Sequence, residues 1–136
     1  MNMKKIIILM TLMMLSAGSL QAASLDFSRT LRLDCIFAGN DKTAEIFVSE
    51  LRSLPVWAGR RVNLDQVPVR GNGQVAMTTA DGQVLYRQSF SSLFQEWQTT
   101  EEATRIRKSF ENVFLLPMPE KDAWVEVKLF GFKGDV

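Results

Sequence analysis

The stretch "QVAMTTADGQVLYRQS", residues 74 to 89, decides the fold, because it has the pattern of two β-strands joined by a tight turn. Residues 74–79 and 83–89 flank Asp81 and Gly82, a pair that favours the short turns of β-hairpins. Alternate apolar residues mark one face of each arm, which is typical of half-buried strands. The stretch therefore predicts an antiparallel sheet.

Strand patterns continue on both sides of this hairpin. Residues 30–37 place apolar side chains at every second position, residues 109–119 have a strand pattern closed by Pro117 and Pro119, and residues 123–130 alternate again. Residues 44–54 fit both a strand and a helix; a strand is favoured because Pro55 ends the run and the neighbouring segments are strands. Six or seven short strands are therefore predicted.

The densest passage, "SFSSLFQEWQTTEEATR" at residues 89–105, predicts one or two short helices. Ser92 with Gln95, and Thr99 with Glu102, each have the spacing of a capping box. We interpret the passage as a folded joint that buries its aromatic residues and uses its acids as caps, with a working site as the alternative. The predicted fold is mainly β: an antiparallel β-sandwich, for which an immunoglobulin-like arrangement is one candidate, with one or two short helices.

The N-terminus has the pattern of a secretory signal peptide. "MNMKK" is basic, Ile6 to Leu15 is apolar apart from Thr11, and small residues follow in "SAGSLQAA". We expect residues 1–22 to be removed and residues 23–136 to form one β-rich domain. The exported chain would be periplasmic, cell-surface or extracellular, with no transmembrane span after removal of the signal.

Composition excludes several classes of protein. The chain has no histidine, so it cannot build a histidine-based triad or an HExxH zinc helix. The predicted signal peptide holds two of the 16 bases and none of the 15 acids, which leaves an exported chain close to neutral. Such a chain has no basic field for nucleic acid. Cys35, the single cysteine, is interpreted as a small buried hydrophobe, with a reactive thiol as the alternative.

Candidate sites are few. Paired carboxylates such as Glu96 with Glu101 or Glu102 could support hydrolysis, but we interpret them as solvated or capping acids. The stronger candidates form a contact surface, because aromatic and arginine side chains dominate the energetics of interfaces. Its predicted residues lie in "PVWAGRR" and "LFQEW": Trp57, Arg60, Arg61, Phe94 and Trp97. Arg60 and Arg61 also admit a second interpretation, in which an arginine packs on Trp57 to fasten the loop.

Long strings of the sequence resemble a known family. These strings are "FAGNDKTAEIFVSELRSLPVWAGRRVNLDQVPVRGNGQV", "YRQSFSSLFQEWQTTEEATR" and "SFENVFLLPMP". Together they resemble the N-terminal domain of the secreted bacterial IgA peptidases, metallopeptidase family sixty-four. The resemblance spans roughly residues 28 to 130.

The resemblance implies a non-catalytic accessory domain. In the family this domain precedes a zinc peptidase domain with an HExxH helix, and no position of this chain matches those zinc ligands. We therefore expect no enzymatic activity and no cofactor in this chain, and a peptidase domain or a protein substrate as its partner. The chain is expected to be truncated, without its peptidase domain. The alternative is a stand-alone secreted binding module for a host glycoprotein or glycan.

Overall fold

The structure, a computed structural model, describes residues 24–67 and 69–131. The predicted signal peptide lies outside these residues. Within the described ranges, no helix has the length and apolar character needed to cross a membrane. The described residues form six strands, a helix and a 3-10 turn: β1 Leu25–Gly39, β2 Ala44–Pro55, β3 Gly73–Thr79, β4 Val84–Phe90, α1 Leu93–Trp97, the turn Glu102–Thr104, β5 Lys108–Pro119 and β6 Ala123–Leu129.

The strands form two antiparallel sheets of three strands each. One sheet has the order β2–β1–β5 and the other has the order β4–β3–β6. Their facing surfaces supply most of the apolar core, which includes Leu33, Phe37, Val75, Met77, Phe114 and Leu116. The arrangement is a β-sandwich and confirms the predicted fold class.

The predicted hairpin is present as β3 and β4. Gly82 adopts a φ of 90°, a conformation that glycine reaches without a steric penalty, and its N–H donates to the Thr79 carbonyl at 3.0 Å. The arms then pair from Gly73 opposite Phe90 along the strands. The local turn chemistry of the sequence therefore sets the register at the centre of the second sheet.

Strand β2 contains a bulge that explains its ambiguous sequence. Cys35 on β1 lies opposite Val48, and the preceding Asp34 lies opposite Glu50, so that Ser49 has no partner across the ladder. The extra residue shifts the side-chain alternation, and Ile46, Val48 and Leu51 therefore share one face of the sheet. Their spacing of two and then three residues mixes the strand and helix periods.

Cys35 lies in the core between the sheets, with 1% of its surface exposed. Burial, together with the Asp34 carboxylate, raises the pKa of the thiol above its ordinary value. A thiol that stays protonated is a poor nucleophile. Cys35 thus has the environment of a small buried hydrophobe.

Only one of the two predicted capping boxes forms a helix start. The Ser92 hydroxyl accepts from the Gln95 N–H at 3.2 Å and caps α1. The Thr99 hydroxyl instead donates to the Glu96 carbonyl at 2.7 Å, at the end of α1. The following 3-10 turn has Glu101 at its N-cap position, without a side-chain cap.

Candidate contact surface

Trp57 is buried at one end of the sandwich. Its backbone N–H donates to the Phe27 carbonyl at 3.0 Å, which directs the chain inward after β2. The indole Nε1 donates to the Arg60 carbonyl at 2.8 Å, and the ring meets Tyr86 edge to face at 5.7 Å between centroids. With 5% of its surface exposed, Trp57 closes this end of the core.

Arg60 fastens the loop that crosses from β2 to β3. Its guanidinium lies 5.2 Å from the centre of the Tyr86 ring and donates to the carbonyls of Asn63 and Gln66, each at 2.8 Å. It also donates to the Arg87 carbonyl on β4. Arg60 therefore fastens the crossing loop, but its guanidinium packs on the ring of Tyr86. The interpretation of an arginine that fastens the loop had placed it on Trp57.

Arg61 is more accessible than Arg60. Its guanidinium lies over the Phe27 ring at 5.2 Å and donates to the Trp57 carbonyl at 3.3 Å. The residue is exposed as a whole. Arg61 also borders an open surface depression with Asp65 and Gln83. It is the member of the predicted contact surface that this fold presents most directly to solvent.

Phe94 and Trp97 belong to an aromatic cluster beneath α1. Phe94 is fully buried, and its ring lies 6.3 Å from that of Phe37 and 6.0 Å from that of Phe110. Trp97 is 8% exposed and lies 5.6 Å from Phe110. Leu93 is the exposed member of this helix, with 71% of its surface accessible. Of "LFQEW", therefore, Leu93 and Glu96 form the solvent face.

Gln95 has a structural role beyond the capping box that its position in the sequence predicts. Its side-chain Nε2 donates to the carbonyls of Asn72 at 2.8 Å and Phe130 at 2.9 Å. Asn72 directly precedes β3 and Phe130 directly follows β6, so the Gln95 amide fastens α1 to the second sheet. The residue is 3% exposed, and buried polar groups are normally hydrogen-bonded, but no pattern in the sequence marks Gln95 as buried.

The structure thus separates the five predicted contact residues. Trp57, Phe94 and Trp97 contribute to the core, whereas Arg60 and Arg61 bind the crossing loop from its surface. A role for this group in binding a partner stays a prediction. If it holds, contact would be made through Arg61 and the neighbouring loop, because the three aromatic rings are covered by this fold.

A second exposed region lies on the outer face of the β2–β1–β5 sheet. We call it the outer face, and define it by three rows of side chains across the sheet: Phe47, Ile36 and Glu111; Glu50, Asp34 and Val113; Arg52, Arg32 and Leu115. Phe47, Val113 and Leu115 are each about half exposed, at 52%, 47% and 48%. These residues are not among the predicted contact residues, although large apolar residues at outward positions of a strand were the signal.

Ion pairs occupy the middle of the outer face. Arg32 binds Asp34 at 2.9 Å, and Arg52 binds Glu50 on the neighbouring strand. The hydrogen bond from Arg52 lowers the pKa of the Glu50 carboxyl. A shallow depression of about 220 Å³ lies between these groups and Val113. The surface thus combines apolar side chains with two ion pairs and one further acid, Glu111.

No group of three or more histidine, cysteine, aspartate or glutamate residues within 24–67 and 69–131 is arranged to hold a metal ion. What the described surface offers chemically is contact: a loop with an exposed arginine, and a sheet face with exposed apolar side chains.

Comparison with known proteins gives one assignment. The family model for the N-terminus of peptidase M64, described as "Peptidase M64 N-terminus", matches residues 23–136. A search among curated proteins finds no match. The matched range includes every strand of the sandwich, and the match confirms the resemblance seen in the sequence strings. The chain belongs to the Peptidase M64 N-terminus family, as a peptidase N-terminal domain.

Proposed function

We propose that the chain is the non-catalytic accessory domain of a secreted IgA-type zinc metallopeptidase, and that it acts by docking against the peptidase domain. The family match supports an accessory domain of this peptidase family. Export, specificity for IgA and the lack of catalysis are parts of the proposal. So is the absence of a cofactor from this chain.

The observation that carries the docking role is the outer face. Phe47, Val113 and Leu115 are half exposed on one surface, together with the ion pair between Arg32 and Asp34. Phe47 lies on β2, and Val113 and Leu115 lie on β5, with the Arg32–Asp34 pair on β1 between the two strands, so the face mixes exposed apolar and charged groups. Interfaces between domains of one protein are likewise mixed in polarity. A neighbouring domain therefore fits this face better than an apolar ligand does.

Binding to a separately produced peptidase domain of the same family tests the proposal. We expect isothermal titration calorimetry to detect a complex that Phe47→Glu and Leu115→Lys weaken by at least about 10-fold, because each places an unpaired charge in an apolar contact. Leu93→Ala is the matched control, since it removes an exposed apolar side chain from a different surface.

The outcomes separate the candidate surfaces. If Arg61→Ala weakens the complex and Phe47→Glu does not, the crossing loop is the docking site and the outer face is not. If the chain fails to bind the peptidase domain, the accessory role is wrong, and a glycan or host glycoprotein becomes the ligand to test. Detection of the chain only in the cytoplasm of its host would contradict export.

A further inference from the structure

Strand β6 is an edge strand with a chemically symmetric sequence. Within the described residues it pairs with β3 alone, in a regular antiparallel register from Thr79 opposite Ala123 to Gly73 opposite Leu129. Its sequence, together with the following phenylalanine, is "WVEVKLF", residues 124–130. Residues at equal distances from the central Val127 are similar or complementary. Val125 and Leu129 are both aliphatic, Glu126 and Lys128 carry opposite charges, and Trp124 and Phe130 are both aromatic.

The backbone of β6 presents hydrogen-bonding groups to its outer edge. The Phe130 N–H donates to the Asn72 carbonyl at 2.9 Å, one step beyond the pair of Gly73 and Leu129. Hydrogen-bonded and non-hydrogen-bonded pairs alternate along an antiparallel ladder. The even-numbered residues of β6 therefore bond to β3, whereas the N–H and C=O groups of Val125, Val127 and Leu129 point away from it.

We propose that β6 is a homodimerisation edge, at which two copies of the chain pair antiparallel about a two-fold axis through Val127. In this register the outward N–H and C=O groups of Val127 meet their own counterparts. Those of Val125 meet those of Leu129 in the second copy. Such strand addition joins the two β4–β3–β6 sheets into one continuous sheet. The interface is isologous, as a two-fold dimer requires.

Charge complementarity selects this register. With Val127 opposite itself, Glu126 lies directly opposite Lys128 of the second copy, and the reverse pair forms as well. The nearest alternative registers that still pair the outward N–H and C=O groups are shifted in one direction or the other. One places the two Glu126 side chains opposite each other and the other places the two Lys128 side chains opposite each other, and like charges directly opposite are destabilising. The two side chains form a 3.0 Å ion pair within one chain and are 62% and 43% exposed, so both can reach a partner.

The outer surface of β6 supports the same pairing. Trp124 is 72% exposed, an unusual position for so large an apolar side chain. In the proposed register it lies opposite Phe130 of the second copy, on the same face as the charged pair. Cross-strand aromatic pairs stabilise antiparallel strands. The dimer would therefore cover the most exposed tryptophan of the chain.

The edge of β2 lacks these properties. It is interrupted by the bulge at Ser49, and bulges at sheet edges hinder further pairing. Strand β6 has no register irregularity over its length. Of these two edges, β6 is thus the regular one, and the second copy of the chain is the partner that its symmetric sequence fits.

Charge reversal tests the proposal. Sedimentation equilibrium of the purified chain is expected to show a monomer–dimer equilibrium. Glu126→Lys and Lys128→Glu should each weaken the dimer by at least about 10-fold, because each creates like charges directly opposite each other at both symmetric positions. An equimolar mixture of the two variants should dimerise again, because every opposite pair then joins a lysine to a glutamate.

The mixture separates a broken interface from a broken fold, since unfolded variants would not recover on mixing. Thermal unfolding of each variant provides the second check, because both substitutions are on exposed side chains. A chain that is monomeric up to its solubility limit would overturn the proposal. So would a dimer that both variants retain, or variants that fail to associate with each other while remaining folded.

Discussion

The indole Nε1 of Trp97 donates to Oε2 of Glu102 at 2.7 Å, and this hydrogen bond joins α1 to the 3-10 turn that follows it. Lys108, at the start of β5, donates to the same carboxylate oxygen at 2.6 Å and lies over the Trp97 ring at 5.8 Å. Both hydrogen bonds lower the pKa of Glu102, with Lys108 as the larger cause. Glu102 is thus part of a small hydrogen-bonded network that joins α1, the 3-10 turn and the start of β5.

A double-mutant cycle on Trp97 and Glu102 should show coupling. Trp97→Phe removes the indole donor and keeps an aromatic ring, whereas Glu102→Ala removes the acceptor. We expect Trp97→Phe to destabilise the chain less in the Glu102→Ala background than in the unmodified chain, as measured by urea unfolding. Additive effects of the two substitutions would mean that the hydrogen bond contributes nothing to stability.

Neighbouring residues of α1 should differ sharply in their effect on stability. Phe94→Ala empties a fully buried site within the aromatic cluster, and we expect a loss of about 3–5 kcal/mol in the free energy of unfolding. Leu93→Ala alters the exposed face, and its expected effect is within about 0.5 kcal/mol. Chemical denaturation of both variants checks the prediction, and similar losses would contradict the assigned orientation of the helix.

Gln95→Glu should destabilise the chain in a pH-dependent way. The new carboxylate cannot donate to the Asn72 and Phe130 carbonyls when ionised, and the expected loss at pH 7 is about 2 kcal/mol. Protonation restores one donor, so the loss should shrink as the pH falls through the raised pKa of the buried acid. Urea unfolding at neutral and acidic pH measures this, with Glu96→Gln as the exposed control. A pH-independent loss would argue against the two carbonyl contacts.

Asp26 should contribute stability that is lost only in strong acid. The Ser28 hydroxyl, the Arg29 guanidinium at 2.8 Å and the Ser28 N–H lower the pKa of Asp26 to about 2. A carboxyl with a lowered pKa in the folded state stabilises the fold above its unfolded pKa, which is about 3.9. The Tm difference between the unmodified chain and Asp26→Asn should therefore be constant above that pH. It should close as the pH falls towards 2, and a difference that grows in acid would contradict the assignment.

The sequence predicted the elements that local chemistry determines. The hairpin follows from Asp81 and Gly82, and the start of α1 follows from the Ser92 cap, because a turn or a cap depends on a few adjacent residues. Strand β1 is longer than residues 30–37, since its first part contains Asp26 and Arg29 and so lacks an apolar alternation. Pairing with β5 over that part depends on tertiary contacts, which no local pattern reveals.

The contact surface was harder to predict, because buried and interfacial positions favour the same residue types. Trp57 and Phe94 have the aromatic character of binding residues, yet aromatic side chains also dominate cores. The bulge in β2 also obscured the outer face in the sequence. The shift at Ser49 places Phe47 and Glu50 on the same face, although residues three apart lie on opposite faces of a regular strand. Only the paired register shows which side chains share the outer face.

The three tryptophans of the chain occupy contrasting environments, with Trp57 and Trp97 inside the fold and Trp124 on the edge strand. Indole emission responds to the polarity around the ring, and a soluble quencher reaches only a ring that solvent reaches. The chain therefore carries an intrinsic optical probe at β6, against a background of two shielded fluorophores. Quenching that acts on a third of the indoles, and weakens as the protein concentration rises, would report association at this edge without an added dye.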